Sequence, residues 1–265
     1  MKSSKKKKIL IDLLRYIYKK FLIFGFDLKI LLNLRYYPRF IKNKKRWLKN
    51  NGAITHNYMI LSDYHDSAGN NKGHYFHQDL LVAQSIFQNK PRRHIDVGSR
   101  IDGFVAHVAS FREIEVLDIR NLSNNYHPNI KFTKLDIMEE PKDMGLTDSL
   151  SCLHAIEHFG LGRYGDLIDV DGHKKGLENM IKLIEPNGLL YLSFPIGEKD
   201  EIHFNAHRVF HPKSIFSFKN ISEKIKLKRF DYIDDKDQLH SKIRIEDCPE
   251  NLKYGCGIYT FVVNN

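Results

Sequence analysis

From residue 91 onward, short apolar runs alternate with segments of helical periodicity. Runs that read as strands lie at 93–97, 114–118, 130–135, 149–153 and 189–194. Helices are predicted between some of them, at 104–111 and 174–184. Such alternation is typical of a mainly parallel sheet whose strands are joined by crossover helices. The predicted fold class is therefore α/β.

The last part of the chain has a different pattern. Residues 225–232 and 257–263 are β-rich, and no helical periodicity separates them. Parallel strands need a crossover connection, which here has no predicted helix. An antiparallel hairpin at the sheet edge is therefore predicted.

The first fifty residues contain a helical apolar stripe. Apolar residues recur at steps of four and three, at Leu10, Leu14, Ile17, Phe21, Phe24, Leu28 and Leu31. Charged residues interrupt the stripe too often for a helix that spans a bilayer. Asp12 and Arg15 fall where a signal peptide needs its apolar centre, so none is predicted.

Charge is distributed unevenly along the chain. Residues 1–50 hold 16 lysines and arginines against Asp12 and Asp27, a balance of +14. Residues 51–265 hold 26 basic and 30 acidic groups, so this part is mildly acidic. An enzyme acting on nucleic acid is expected to place basic groups around its cleft. The distribution therefore argues against nucleic acid as a partner.

Two interpretations of this basic, amphipathic arm remain open. A helix with basic flanks suits an anionic membrane surface, and aromatic residues near its edges favour that interpretation. These residues are Tyr16, Tyr18, Tyr36, Tyr37 and Trp47. The alternative is a helix packed on its own domain or on a second subunit, which would make a homo-oligomer. Binding of an acidic polymer is a minor third interpretation.

Residues 51–90 are polar and rich in His, Asp and Gly. The pattern predicts a loop up to Asp79 and a short helix over 80–87. His74, His77 and Asp79 either line a substrate pocket as part of a lid, or belong to a surface loop. The predicted organisation is a helical arm at 1–50, a cap segment at 51–90 and a main domain at 91–265.

The three cysteines are Cys152, Cys248 and Cys256, without a CxxC pair or an even framework. Their spacing favours a reducing compartment, hence a cytoplasmic protein, and does not favour a structural zinc site.

Candidate chemistry centres on residues 93–103, read as a buried strand, a glycine turn and a helix start. Gly98 and Ser99 would bring backbone N–H groups and a helix N-terminus to a ligand, with Asp96 as a fixed acceptor beside them. About twenty residues later, Asp118 ends the second strand, where a carboxylate accepts ribose hydroxyls. Asp136 ends the third strand and is suited to an adenine amine, while Ile119 or Ile137 packs on the ring.

These residues resemble those of the class I S-adenosylmethionine-dependent methyltransferases. The resemblance covers roughly residue 91 onward. It rests on Asp-Val-Gly-Ser at 96–99, Asp118, Asp136, Cys-Leu-His-Ala-Ile-Glu-His at 152–158 and Leu-Ile-Glu-Pro-Asn-Gly-Leu-Leu-Tyr-Leu-Ser at 183–193. It implies a Rossmann-like fold with S-adenosyl-L-methionine as cofactor. The cofactor-binding candidates are Asp96, Gly98, Ser99, Arg100, Gly103, Asp118, Asp136 and Ile137.

A closer resemblance exists to a methyltransferase-like family of unknown function, of DUF268 type, found in bacteria and nematodes. The shared blocks are Gly-His-Tyr-Phe-His-Gln-Asp at 73–79 and the segments 94–107, 153–166 and 204–210. The bacterial members look like enzymes of surface-polysaccharide pathways. One departure from the methyltransferase pattern is Arg100, which stands where a third glycine is usual, so that the next glycine is Gly103. Arg100 either points away from the sulfonium or pairs with the cofactor's carboxylate.

Methyl transfer to a hydroxyl requires in-line positioning and removal of a proton, for which histidine is suited near neutral pH. The catalytic candidates are His154 and His158 after the fourth strand, and His203 and His207 after the fifth. No metal is expected. The alternative is a divalent ion held by His154, Glu157 and His158, a set that resembles the acid-x-x-Glu-His arrangement of quinone-pathway O-methyltransferases and favours a transition metal.

The sequence thus predicts a methyltransferase that modifies an oxygen of a sugar or small-molecule acceptor in surface-glycan biosynthesis, located in the cytoplasm or on the inner membrane face. The alternatives are a non-catalytic binding or scaffold protein with a nucleotide fold, and a nucleotide-sugar or NAD enzyme.

Overall fold

The computed structural model describes residue 18 and residues 28–69, 71–122, 127–142 and 144–264. They belong to two compact units, Met1–Asn70 and Asn71–Asn265. The segment boundaries predicted near residues 50 and 90 stay predictions.

The first unit contains two helices, α1 at Leu28–Asn33 and α2 at Tyr37–Lys49, joined by a 3-10 turn. Pro38 lies in the first turn of α2, where its missing N–H costs no hydrogen bond. After α2, the indole of Trp47 donates to the carbonyl of Ala53 at 3.0 Å. No helix in the described part of the chain is long and apolar enough to cross a membrane. The predicted stripe from Leu10 to Phe24 lies outside the described residues.

The second unit is built on an eight-stranded sheet and a separate two-stranded ribbon. The strands are β1 Ile95–Val97, β2 Ile114–Asp118, β3 Ile130–Lys134, β4 Thr147–Leu153, β5 Ile184–Ile196, β6 Glu201–His203, β7 His207–Val209, β8 Ile225–Ile233, β9 Leu239–His240 and β10 Gly255–Val263. The sheet order is β3-β2-β1-β4-β5-β10-β8-β9, and β6 pairs with β7.

Four helices accompany these strands: α3 His74–Asn89, α4 Ala106–Ala109, α5 Gly172–Lys182 and α6 Lys219–Ser222. A π-helical turn, Ile101–Val105, leads into α4, and short 3-10 turns lie at Ile156–His158, Ser214–Ser217 and Ile245–Asp247. Gly103 forms a kink in this turn, with φ −123° and ψ −110°, so the helical segment predicted at 104–111 begins directly after the kink, as expected, and ends at Ala109.

The direction of the strands confirms the predicted fold class. Strands β1 to β5 pair in parallel, whereas β10 runs antiparallel to both β5 and β8. The antiparallel β8–β10 pair predicted from the two β-rich runs is confirmed. This is the Rossmann-like arrangement that the resemblance to class I methyltransferases implied.

Helix α3 begins earlier than the sequence predicted. It starts at His74, directly after Gly73, which adopts φ +91°, and not after Asp79. Val82, Ala83 and Ile86 are buried against the π turn and α4. The first turn and a half of the helix is mostly polar, and its apolar periodicity begins only at Leu80. The sequence pattern therefore did not indicate the first part of the helix.

Two apolar clusters cover the two faces of the sheet. Along β10, Tyr259 and Phe261 belong to one cluster and Cys256 and Ile258 to the other, as expected for side chains that alternate across a strand. All three cysteines are unpaired and buried. Because β1 to β5 run parallel, their carboxyl ends meet at one edge of the sheet, where such sheets bind ligands.

Candidate active site

The glycine turn follows β1 and is held from below by a buried carboxylate. Asp96 accepts hydrogen bonds from the Ser99 N–H at 3.0 Å, the Ser99 hydroxyl at 2.7 Å and the Ser151 hydroxyl at 2.5 Å. Burial raises the pKa of Asp96 to about 7, although these hydrogen bonds oppose the shift. Asp96 and Ser99 therefore fix the shape of the turn through these buried hydrogen bonds.

The polar layer under the turn continues to His94. Its ring nitrogens lie 2.7 Å from the Ser149 hydroxyl and 3.1 Å from the Ser151 hydroxyl. Burial lowers the pKa of His94 to about 3, so this imidazole is neutral. Gly98 completes the turn with φ +73°, and a Cβ there would lie 2.9 Å from the Ala155 Cβ. Glycine is thus required by both conformation and space.

A cavity of 320 Å³, the strand-end cavity, opens at the carboxyl ends of β1 to β4. Its walls include Gly98, Asp118, Asp136 and Ile137, from three successive strand ends. A volume of this size is typical of a small-molecule pocket. The structure therefore brings five of the eight predicted cofactor residues together around one space, Arg100 being the fifth, whereas Asp96 and Ser99 do not line it.

Asp118 is bound by an arginine that the sequence analysis did not single out. The guanidinium of Arg120 donates to both carboxylate oxygens, at 2.9 and 2.6 Å, and lies 4.6 Å from the ring centre of Tyr164. A ligand that hydrogen-bonds to Asp118 must share this carboxylate with Arg120.

Asp136 and Ile137 form the opposite wall. Asp136 accepts the Met138 N–H at 2.9 Å, and burial raises its pKa. The buried amide of Asn179 donates to the carbonyls of Ile137 and Glu139, both at 3.0 Å. Asn179, from α5, therefore holds this loop in place.

Arg100 and Gly103 differ in their relation to the cavity. Arg100 lines it, but its side chain is 61% exposed and forms an ion pair with Asp102 at 2.8 Å. Gly103 is not among the lining residues; a Cβ there would lie 3.0 Å from Asp79 Oδ2. In this conformation Arg100 turns toward Asp102, and Gly103 serves the packing of α3.

A second, polar cavity of 770 Å³ adjoins the first. Tyr75, His154, His158 and Tyr164 line both cavities. The rest of the polar cavity is lined mainly by charged and aromatic side chains, including Arg163, Asp234, Asp235, Asp237, Lys253 and Tyr254. A two-compartment site of this kind suits a reaction between two ligands.

His154 directly follows β4 and adopts φ +51°. Its Nδ1 lies 2.7 Å from Glu157 Oε1, and its Nε2 lies 3.2 Å from Nδ1 of His74. Burial opposes protonation of this imidazole, but Cys256 and Glu157 outweigh burial and raise the pKa of His154 to about 10. With that pKa His154 carries a proton at neutral pH.

Glu157 and His158 lie in the next turn. Glu157 is 1% exposed, and its Oε2 has no hydrogen-bond partner among the described residues. His158 Nδ1 lies 2.7 Å from the carbonyl of Ala206, and burial lowers the pKa of His158. His158 Nε2 lies 3.8 Å from Glu157 Oε1. The residues of the alternative metal set are therefore neighbours.

The other two catalytic candidates, His203 and His207, differ in their position relative to the cavities. His207 lines the polar cavity, burial lowers its pKa, and its Nε2 has no partner among the described residues. His203 is exposed, pairs with Glu201 at 2.9 Å and lines neither cavity. Of the four histidines, only His154 and His158 lie where the two cavities meet.

Several residues around the site carried no separate prediction. Tyr75 and Tyr164 lie within 73–79 and 153–166, two of the blocks shared with the DUF268-type family. Membership in these blocks could have marked both tyrosines as candidate site residues. Tyr254 and Asp234 lie in the C-terminal part, where no motif marks them. Only the return of β8 and β10 to the sheet brings them to the polar cavity.

Residues 108–222 match the model of a family described as "Caenorhabditis protein of unknown function, DUF268". Over this stretch, the match confirms the resemblance to the DUF268-type family. No curated protein matches the chain.

Solved structures of similar fold include three methyltransferases. The N-methyltransferase NodS from Bradyrhizobium japonicum WM9, in complex with S-adenosyl-L-homocysteine, is 13% identical, with 71% of this chain and 86% of that chain covered and a TM-score of 0.47. A methyltransferase from Clostridium acetobutylicum ATCC 824 is 10% identical, with 73% and 93% covered and a TM-score of 0.48. The methyltransferase domain of bacterial CtHen1 is 13% identical, with 71% and 97% covered and a TM-score of 0.48. Likeness at this level carries no information about activity.

Proposed function

We propose that this protein is an S-adenosylmethionine-dependent methyltransferase that methylates a hydroxyl of a sugar or other small polar acceptor. The observation that carries the proposal is the pair of adjoining cavities that share His154 and His158. One cavity suits the methyl donor and the other the acceptor, so the two reacting atoms would meet beside an imidazole.

The strand-end cavity has the features that the donor requires. Backbone at Gly98 lies at its floor, Asp118 is available to ribose hydroxyls, and Asp136 is available to the adenine amine. The apolar side chain of Ile137 offers a face for the ring. Arg100 would release Asp102 to pair with the donor's carboxylate.

His158 is the proposed general base. Because burial lowers its pKa, it is neutral at pH 7 and able to accept a proton. When the Nδ1–H group donates a hydrogen bond to the Ala206 carbonyl, Nε2 carries the free lone pair. His154, which has a raised pKa, would instead position or polarise the acceptor.

The polar cavity suits a polyhydroxylated acceptor. Asp234, Asp235 and Asp237 offer hydrogen-bond acceptors, Arg163 offers donors, and Tyr254 offers a flat ring face. This supports the proposal that the acceptor belongs to surface-glycan biosynthesis.

Calorimetry tests the donor. The protein is expected to bind S-adenosylmethionine and S-adenosylhomocysteine and to give no heat with NAD. Replacement Asp136→Asn should weaken cofactor binding by about 10- to 100-fold, since a hydrogen bond to a charged group contributes about 1.5–3 kcal/mol. Asp247→Asn, which affects only an exposed pair with Arg244, is the matched control. Binding of NAD in place of the methyl donor would refute the proposal and favour a dinucleotide enzyme.

We further propose that the protein works in the cytoplasm at an anionic membrane surface through its basic arm. Leu31, Leu32 and Trp47 are exposed beside many basic residues, which supports this proposal. Replacing Lys42, Lys44, Lys45 and Lys49 of α2 by glutamine should weaken binding to anionic vesicles on the order of 1000-fold, because each lysine near the surface contributes about 1 kcal/mol and the four together about 4 kcal/mol. Lysines 219, 224, 226 and 236 provide a control with the same change of charge. If the α2 variant sediments with vesicles like the wild type, the arm instead serves protein packing or a homo-oligomer.

A further inference from the structure

Three side chains with metal-binding atoms converge beside the polar cavity. His74 is the first residue of α3, His154 follows β4, and Cys256 is the second residue of β10. One ligand atom from each, an imidazole nitrogen or the thiol sulfur, lies within 4.8 Å of the other two. The chain separates these residues widely, so only the fold brings them together.

We propose that His74, His154 and Cys256 bind one transition-metal ion, with Zn²⁺ as the ion that this ligand set suits. Two imidazoles and one thiolate are a borderline-soft set, which selects zinc over magnesium or calcium. The set shares only His154 with the alternative of His154, Glu157 and His158. Cys256 of β10 takes the place of the carboxylate, and His74 of α3 takes the place of His158.

The distances fit tetrahedral coordination. With Zn–N bonds of about 2.0–2.1 Å, two ligand nitrogens of a tetrahedral site lie about 3.3 Å apart. The observed separation between His74 Nδ1 and His154 Nε2 is 3.2 Å. With a Zn–S bond of about 2.3 Å, the sulfur of a tetrahedral site lies about 3.6 Å from each ligand nitrogen. The Cys256 sulfur lies within 4.8 Å of both nitrogens, so it reaches its ligand position by a movement of at most about 1 Å.

The outer contacts of His154 also fit a metal ligand. Its Nδ1 lies 2.7 Å from the Glu157 carboxylate and its Nε2 faces His74, so a metal ion that displaces the Nε2 proton would leave the other proton on Nδ1, in contact with Glu157. A carboxylate behind the second imidazole nitrogen is the usual arrangement around metal-bound histidine. Glu157 is 1% exposed and its second oxygen has no partner among the described residues, so a nearby cation would compensate a buried charge.

The ion would be accessible from one side. His74 and His154 line the polar cavity, whereas Cys256 is fully buried behind them. Three protein ligands and one position open to a cavity is the arrangement of catalytic zinc sites, in which water or substrate takes the fourth position. Metal binding at this position does not depend on the proposed methyl transfer.

Cobalt substitution tests the site directly. The full-length protein, stripped with chelator, is titrated with Co²⁺ and followed by the thiolate-to-cobalt charge-transfer absorption; Zn²⁺ affinity is measured by competition. The wild type should bind one ion and show the band. Cys256→Ser should abolish the band, and both Cys256→Ser and His74→Gln should weaken Zn²⁺ binding by at least about 100-fold, more than loss of an outer contact costs.

Matched controls are Cys248→Ser, a buried cysteine elsewhere, and His77→Gln, one turn along the same helix; both should keep the band and the affinity. Far-UV circular dichroism verifies that each variant is folded. No binding of either metal by the folded wild type would overturn the proposal. Binding that survives Cys256→Ser but is lost in His158→Gln would also overturn it and place the ion at His154, Glu157 and His158. Cofactor calorimetry is a separate measurement, so failure of the donor proposal is distinguishable from failure of this one.

Discussion

Replacing Ser151 by alanine should destabilise the sheet beneath the glycine turn. The hydroxyl of this fully buried residue donates to Asp96 Oδ1 at 2.5 Å and lies 3.1 Å from His94 Nε2. In Ser151→Ala, Asp96 keeps two hydrogen bonds from Ser99, and His94 keeps one contact with Ser149. Both groups therefore lose one partner without gaining water.

The magnitude follows from those two losses. Leaving a buried polar group unsatisfied costs about 1–3 kcal/mol, and the remaining partners place the sum at about 2–4 kcal/mol. For a chain of this size each kcal/mol lowers Tm by about 2–4 °C, so a fall of about 5–15 °C is expected.

The assay must report on the second unit. The only tryptophan, Trp47, lies in the first unit, so its fluorescence would miss the change, and urea unfolding should be followed by far-UV circular dichroism. Ser110→Ala is the control, because this exposed hydroxyl contacts only the His107 carbonyl among the described hydrogen bonds. A free energy of unfolding within about 0.5 kcal/mol of the wild type would refute the network. In an Asp96→Asn background the cost of Ser151→Ala should change by about 0.5–3 kcal/mol, the coupling expected for groups in contact.

Three other variants test the site and its frame. His158→Gln should lower kcat by about 10²–10⁴-fold in a methyl-transfer assay and leave cofactor affinity unchanged by calorimetry; full activity would exclude His158 as the base. Gly160→Ala should cost more than about 2 kcal/mol in urea unfolding, because φ is +77° and the new Cβ would lie 2.0 Å from the Asp169 carbonyl oxygen; a wild-type midpoint would contradict the strain. The pKa of His94 is lowered to about 3 in the folded protein, whereas in the unfolded chain the imidazole has its ordinary pKa of 6.5. Below pH 6.5 the unfolded state therefore takes up a proton that the folded state does not, and acid favours unfolding. Between neutral pH and about pH 4.5 this proton uptake should lower the free energy of unfolding of the wild type by about 3 kcal/mol, and His94→Gln should not show this loss. Parallel pH profiles of unfolding free energy for the two proteins would contradict the buried neutral imidazole.

Local patterns predicted the parallel part of the sheet well. Strand β2 has the predicted bounds, Ile114–Asp118, because its apolar residues end at a carboxylate followed by polar residues. Strand β5 begins at Ile184, five residues earlier than predicted, since Pro186 and Gly188 read as a turn. The structure accommodates them through a register shift opposite Thr147 and Ser149. Tertiary pairing therefore overrode the local turn signal.

The candidate site was predictable only in part. Asp118 and Asp136 reach the cavity because strand ends in a parallel sheet share one edge, a rule that sequence order alone supplies. Asp96 fits the same rule, yet its carboxylate turns under the glycine loop, because Ser151 on the neighbouring strand offers it a hydrogen bond. The meeting of His74, His154 and Cys256 depends on long-range pairing, for which no local pattern gives a signal.

Because all three thiols are buried, their reaction with a labelling reagent would report local unfolding of the protein. Cys152 lies in the centre of the sheet, Cys256 in β10 and Cys248 in the segment before it, so each samples a different part of the second unit. A thiol-specific reagent can modify each sulfur only when its surroundings open. Mass spectrometry of labelled peptides would then rank the three regions by opening rate, without any engineered probe.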